Sequence, residues 1–440
     1  MNLHAPISPD APEGRDIPQT DRTAPAEAIT LSICIPTFNR APFLDYALTH
    51  LAQACRFDFT YEIVISDNAS TDDTRAVAER HAATGLPVVY HCQEENKGGL
   101  PNLLTVFHRA RGQYLIYLAD DDLIIGEALA DHIHYLLDNP EIRACYTPWE
   151  VYDDLNKVTQ TNFYAVDGDV VFHPGDEMDL LTLMVKNHIF PEIVVYRADA
   201  IRDILWEPRF CYWAFSYLAH IAARGPIAFR PRAYYRSVTL TPVAPDRGQA
   251  GVEQTMVDWD SYRGGLEYFV HAMFVRARLP LTGDVQRVFR DMIDLFVDAR
   301  MRVALRLWIA RKDYVRAYEL VCRLAFLNPV TATDAPEIPG LRLLVAAQIL
   351  ARMANGIAGL NRLVLAGIQD GPSLGSLLRD VGLERRIIVT PVVATTSGAA
   401  KAGSLVFIAN EADRAEFVAQ GYVPGLIVSE EDLLSGIYLR

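Results

Sequence analysis

The sequence predicts an α/β protein: a mixed, mainly parallel sheet wrapped by helices, then a helical region, then a small Rossmann-like α/β unit. Three observations carry that expectation. Short β-rich runs alternate with helix-period segments from Leu31 to Leu137, the rhythm of a parallel sheet with helices on both faces. Residues 252 to about 328 lose that rhythm and read as helical throughout. From Asn361 the alternation returns.

The elements follow in order. "LSICIP" opens the first strand at Leu31, and Phe43, Ala47, Leu48 and Leu51 then fall at helical spacing over residues 42–54. "YEIVIS" with a helix over 71–83, "PVVYHC" with one over 100–110, and "YLIYLA" with one over 126–137 continue the pattern. "ACYTPWEVYD", "VTQTNFYAV" and "DVVFH" have no helix between them, which predicts a mixed sheet edge or a β-meander. Residues 175–236 alternate again and end in the strand "PIAFRPRAYYRS". Helical segments such as "VQRVFRDMIDLFVDARMRVALRLWIARK" follow, then the Pro-rich break "NPVTATDAPEIPG" and the helix "LRLLVAAQILARMANGIAG". The last unit reads as strands "RLVLAGI", "RRIIVTPVV", "SLVFIA" and "GLIVS", with helices near "PSLGSLLRDVG" and "EADRAEFVAQG". The expected organisation is a disordered tail over 1–28, an α/β domain over 29–250, a helical region over 251–358 and an accessory unit over 359–440.

Composition narrows the function classes. The 440 residues are 50% apolar, enough for two or three cores. The formal net charge of −14 argues against a nucleic-acid binder. It also means that an anionic substrate needs local cationic help. Six scattered cysteines with no C-x-x-C pair fit a reducing compartment. No run reaches the roughly 18 apolar residues of a membrane span, and the amino terminus lacks a secretory apolar core. The expectation is a cytoplasmic protein whose only membrane contact is peripheral, at the inner face. A stripe of Arg300, Arg302, Arg306, Arg311, Lys312 and Arg316 on the long helices would serve such a contact. A solvated helix face is the plainer reading of it.

In open α/β sheets ligands gather at the carboxyl ends of the strands. The first strand ends in Pro36-Thr37-Phe38-Asn39-Arg40, the second in Ser66-Asp67-Asn68-Ala69-Ser70-Thr71-Asp72-Asp73, and the fourth in Asp120-Asp121-Asp122. A parallel sheet puts all three on one rim. Three adjacent carboxylates repel one another unless something positive sits among them. A hard dication shared with substrate phosphates meets that need. Each piece alone also has a structural explanation: Ser70 with Asp73 spells a capping box, and Asp122 suits a helix start.

"LSICIPTFNRAPFLDYALTHL", "YEIVISDNASTDDT" and "ENKGGLPNLLTVFHRARGQYLIYLADDDLI", in this order, resemble family 2 glycosyltransferases of the GT-A fold. The likeness covers about residues 29–240. It implies a nucleotide-sugar donor with Pro36, Thr37 and Asp67 around the base and ribose. It also implies Mg²⁺ or Mn²⁺ on the D-x-D-type motif at Asp120, Asp121 and Asp122, with Asp121 the leading ligand. The implied donor set is Pro36, Thr37, Asn39, Arg40, Asp67, Asn68, Lys97 and Asp120, with Gly98 and Gly99 allowing close backbone approach. The acceptor class implied is a saccharide, a lipid-linked saccharide or a protein, and the stereochemistry inverting.

The resemblance breaks at the general base. Where family members carry Glu-Asp at the start of a late helix, "FCYWAFSYLAHIAARGPIAF" has Cys211, Tyr212 and Trp213. Glu192, ahead of an apolar strand, is one substitute, since partial burial would raise a carboxyl toward a useful range, although an exposed loop acid is its plainer reading and the base stays unassigned. Glu207, Asp153 and Asp154 are weaker substitutes. His132 and His134, two apart on a helix, make a poor metal pair. In the last unit Gly367, Gly371 and Gly375 are spaced unlike a dinucleotide-binding turn and read as structural. A nucleotidyltransferase lacks support because no G-x-G-T-R-like loop follows the first strand. The remaining rival to transfer is a sugar-nucleotide sensor or scaffold that has lost its base.

Overall fold

The computed structural model describes residues 28–206, 208–245, 256–278, 282–327, 338–391 and 398–437. Glu207, the tail up to residue 27 and most of the Pro-rich break lie outside the described residues.

The main sheet has eight strands in the order β3-β2-β1-β4-β10-β6-β11-β9. They are β1 (Leu31–Thr37), β2 (Tyr61–Asp67), β3 (Val88–Cys92), β4 (Tyr114–Tyr117), β6 (Ala144–Tyr146), β9 (Val170–Phe172), β10 (Val194–Arg197) and β11 (Ile227–Phe229). β1 to β4 run parallel, and β10 lies antiparallel between β4 and β6. Leu31, Ile33, Cys34 and Ile35 are all fully buried, the unbroken apolar run that a strand covered on both faces requires. Parallel neighbours need crossovers. α1 (Ala41–Ala54), α2 (Thr74–Ala83) and α3 (Gly99–Arg109) supply them, and α4 (Gly126–Asp138) follows the acidic triplet. α1 starts with Pro42 in its first turn, where no N–H is missed, and buries Leu44, Ala47, Leu48 and Leu51. Each such leucine contributes about 1.5–3 kcal/mol.

A second sheet was not legible in the sequence. β5 (Leu123–Ile124), β12 (Tyr235–Leu240), β7 (Trp149–Asp153) and β8 (Val158–Asn162) form it in that order. Two runs expected as single strands are therefore split. "ACYTPWEVYD" divides at Thr147-Pro148 between β6 and β7, and "PIAFRPRAYYRS" divides around Pro231 between β11 and β12. Proline cannot donate to a ladder, so each run changes sheets there.

α5 (Glu177–Asn187) and α6 (Trp213–Ala222) complete the first α/β region, and α7 (Trp259–Ala277), α8 (Gly283–Ala310), α9 (Tyr314–Leu327) and α10 (Leu341–Gly356) make the helical one. α7 meets the start of α6 through Gly264 and Gly265. A Cβ on Gly264 would lie 2.2 Å from the Phe210 carbonyl oxygen, and one on Gly265 2.7 Å from the Phe215 ring. The cationic stripe does not form one face. Arg300 turns inward over Phe163 and Phe190, Arg302 pairs with Asp298, Lys312 with Asp380, and Arg311 and Arg316 lie over Trp308. No described helix is long and apolar enough to cross a membrane.

The last unit is a four-stranded parallel sheet, β14-β13-β15-β16, built from β13 (Arg362–Ala366), β14 (Ile388–Pro391), β15 (Ser404–Ile408) and β16 (Ile427–Ser429). Of its three turn glycines only Gly367 has a positive φ, +72°. Asp370 caps the following helix by accepting from the Ser373 N–H at 3.1 Å.

Candidate active site

The ends of β1, β2 and β4 stand side by side, and the loops beyond them are sewn together. Asn39 has the left-handed φ of 52° that lets the chain turn out of β1. Its N–H donates to Ser70 Oγ at 2.8 Å, and its Oδ1 accepts from the Thr71 N–H at 2.7 Å. Asp72 Oδ2 accepts from the Ala41 N–H at 3.0 Å, which ties the second loop to the start of α1. Ser70 therefore joins two loops and caps nothing: the N-cap of α2 is Asp73, with no side-chain capping bond.

The acidic triplet divides its labour. Thr37 Oγ1 donates to Asp120 Oδ2 at 2.7 Å, across the rim from β1. Arg40 lies against Asp120, its Nε 2.9 Å from Oδ1, and its Nη2 pairs with Asp121. The guanidinium rests on the Phe43 ring, 4.6 Å from its centroid. Burial works against its charge, but the neighbouring carboxylates of Asp120 and Asp121 more than offset this and hold its pKa above the ordinary arginine value. Asp122 faces the other way. Tyr235 donates its hydroxyl to one carboxylate oxygen at 2.7 Å and the Val238 N–H donates to the other at 2.8 Å. Burial and then the charge of Asp121 push the Asp122 carboxyl well above the usual range.

This geometry tests the expected dication. Two carboxylates with oxygens at one rim suit a hard ion that also takes phosphate oxygens, and Asp120 and Asp121 meet that description. Asp122 is held differently: its two oxygens accept from Tyr235 and Val238 of β12, whereas those of Asp120 face Thr37 and Arg40. Among the described residues no three acidic, histidine or cysteine side chains converge as a metal cage.

The remaining donor candidates surround the same rim. Asp67 accepts from the Ser70 N–H at 2.8 Å and from the Tyr90 hydroxyl at 2.5 Å, so the carboxylate is anchored within its own loop. Asn68 holds the loop before α3, donating to Asn96 Oδ1 and the Gly98 carbonyl and accepting from the Lys97 N–H. Gly98 there has φ +91°, a turn that side chains disfavour. Pro36 pairs in register with Ser66, and the Lys97 side chain is exposed. The sequence reading missed Asn102. It is buried in α3, accepts from Ser66 Oγ and Gln93 Nε2, and donates to the Ser66 carbonyl. A polar side chain in the apolar stripe of α3 was the signal for it.

The base candidates separate cleanly. Cys211, where the family's acid would stand, points at the helical region, its Sγ 3.5 Å from the Gly264 carbonyl. The Tyr212 hydroxyl donates to Glu192, which brings Glu192 to the start of α6 from a different segment of chain. Burial raises the Glu192 pKa, while the Tyr212 bond and the charge of Arg300 oppose the rise. Phe190 packs on Tyr212, Tyr262 and Phe215, and Arg300 stacks over its ring at 5.0 Å. Tyr117 joins the two halves: its hydroxyl lies in the fields of all three aspartates and of Glu192. Asp153 and Asp154 instead serve the β7–β8 turn, bound to Asn156 and to Tyr46 and Lys157. His132 and His134 diverge, one buried against Arg232 and the other beside Asp58.

Comparison with known proteins bears on the same segment. Residues 32–205 match the family described as Glycosyl transferase family 2. Abequosyltransferase RfbV of Salmonella typhimurium is 33% identical over 116 residues, 26% of this chain and 35% of that protein. A GalNAc(5)-diNAcBac-PP-undecaprenol beta-1,3-glucosyltransferase of Campylobacter jejuni is 31% identical over 101 residues, 23% of this chain and 32% of that one. The chain spans about a third of the length of these two relatives. Among solved structures, S. aureus TarS 1–349 in complex with UDP-GlcNAc aligns at TM-score 0.47 and 14% identity, covering 73% of this chain and 85% of that one.

Proposed function

We propose that this chain, whose residues 32–205 match the Glycosyl transferase family 2 model, transfers a sugar with inversion from a nucleoside-diphosphate donor to an acceptor hydroxyl. The observation that carries this reading is the rim itself. Thr37, Asp120, Arg40 and Asp121 form one connected polar cluster where three parallel strands end, the place at which open α/β sheets take nucleotides.

In this reading the stitched loops of Asn39, Asp67 and Asn68 shape the nucleoside pocket, and Arg40 and Lys97 face the diphosphate. Asp120 and Asp121 would hold Mg²⁺ or Mn²⁺, which, when bound, neutralises charge on the departing diphosphate. Glu192 takes the proton of the attacking acceptor hydroxyl. The Tyr212 hydroxyl fixes the carboxylate, and Arg300 favours its charged form. Tyr117, Trp213 and Tyr212 pack in succession beside Glu192, with the Tyr117 and Trp213 rings 6.3 Å apart. The acceptor is a saccharide, lipid-linked saccharide or protein. The Campylobacter relative's polyprenol-linked acceptor favours the lipid-linked class, which would bring the chain to the cytoplasmic face of a membrane peripherally.

One observation keeps a second reading open: Cys211, at the position where the resemblance puts the base, is packed on the Gly264 carbonyl. A protein that bound donor without turnover would be a sensor. A panel of nucleotide sugars with Mn²⁺ decides between them, read by thermal stabilisation and by release of nucleoside diphosphate. Stabilisation that Asp121→Asn abolishes, with turnover, supports the transferase. Stabilisation with neither transfer nor slow hydrolysis supports the sensor.

A further inference from the structure

The cation among the three aspartates is a residue of the chain itself. Arg40 contacts Asp120 and Asp121 together, its side chain is 18% exposed, and Phe43 supports it from below. We propose that Arg40 is a built-in counter-ion that competes with the dication for Asp120 and Asp121, so that metal and donor diphosphate enter as a pair. The inference rests on the metal-dependent transferase reading and assigns Arg40 a role in it.

The argument is a charge balance in a partly desolvated place, where unpaired charge is costly. Asp122 is set aside, since its carboxylate is committed to Tyr235 and Val238. Asp120 and Asp121 against Arg40 leave one uncompensated negative charge. A dication arriving alone would turn that into one positive charge and press against the guanidinium. A diphosphate diester arriving alone would leave three negative charges. Both together restore the resting balance, because the dication takes the carboxylates while the diphosphate takes the guanidinium. Arg40 sits at the N-cap of α1 and belongs to the loop that Asn39 anchors to Ser70 and Thr71. Its backbone is therefore fixed, and only the side chain has to turn between partners.

Coupling of this kind is measurable without turnover. Mn²⁺ binding is followed by the loss of its free-ion electron paramagnetic resonance signal, first with Mn²⁺ alone and then with UDP or GDP present. In the unaltered chain either nucleotide that binds should tighten Mn²⁺ about 10-fold or more, within the usual range of coupling between two ligands. Arg40→Gln should bind Mn²⁺ alone about 10-fold more tightly than the unaltered chain and lose most of the nucleotide effect. Arg40→Lys keeps the charge and should keep the coupling, which separates the role of charge from damage to the fold. Asp121→Asn should lose Mn²⁺ under every condition. Equal Mn²⁺ affinity in the unaltered chain and Arg40→Gln would overturn the counter-ion role while leaving the metal assignment intact. No Mn²⁺ binding in any form would overturn both.

Discussion

Tyr235 donates its hydroxyl to Asp122 at 2.7 Å, from a strand 113 residues further along the chain. Since the Val238 N–H takes the other oxygen, Asp122 locks the second sheet to the rim. Tyr235→Phe leaves a buried carboxylate short of one donor and should cost about 1–3 kcal/mol in urea denaturation. Asp122→Asn should lower stability in the same assay while keeping most of the Mn²⁺-dependent thermal shift. Loss of that shift to the same extent as in Asp121→Asn would return Asp122 to the metal.

Glu192→Gln preserves shape and removes the base. kcat should fall about 10²–10⁴-fold, with donor affinity by calorimetry unchanged. The pH profile gives a second reading. Burial raises the Glu192 pKa, and the base works only when charged. The acid limb of kcat/KM should therefore fall away at higher pH than an ordinary glutamate gives. A limb at the ordinary carboxylate position would remove Glu192 from the role.

Arg300 favours the charged form of Glu192, and burial lowers its own pKa to about 10. Arg300→Met removes the guanidinium that lies over Phe163 and Phe190 and leaves an unbranched apolar chain in its place. The acid limb should move to still higher pH, and Arg300→Lys should restore it in large part. A change confined to thermal stability, with the profile unmoved, would leave Arg300 a packing residue.

His132 makes the fold itself pH-sensitive. Its Nε2–H donates to the Arg232 carbonyl at 2.8 Å, and Nδ1 faces the Arg230 guanidinium at 3.1 Å. Burial first, and then Arg230, push its pKa down to about 4. The unfolded chain takes up this proton near pH 6.5 and the folded chain only near 4. Stability is therefore whole above 6.5 and declines as pH falls through that window, by up to about 3 kcal/mol from this group. His132→Gln should flatten the slope between those limits in pH-dependent denaturation. An identical slope in both proteins would exclude His132 as its source.

How much of this was legible beforehand depended on distance along the chain. β1 to β4 and α1 to α4 follow one another locally, and their apolar periods and end residues are visible in any short window. The division of 144–153 and of 226–237 between two sheets was not, because each half pairs with strands far away and only Pro148 and Pro231 mark the break. Within the site, the acidic triplet was evident, but which acid served which partner was not. Tyr235 and Val238, which claim Asp122, lie beyond the segment where the motif is read. Arg40 stood in plain view as a donor contact; only the rim's geometry reveals it as the neighbour of Asp120 and Asp121. Glu192 reaches Tyr212 across a fold that no sequence spacing encodes.

The bare backbone at Gly264 and Gly265 carries a practical lesson for anyone cutting this protein down. Because α7 rests directly on the turn that presents Tyr212, a fragment ending after β12 would strip away the wall behind the base. It would also expose Phe215 and Phe190 to water. Such a fragment should recognise the donor and yet be poor at using it.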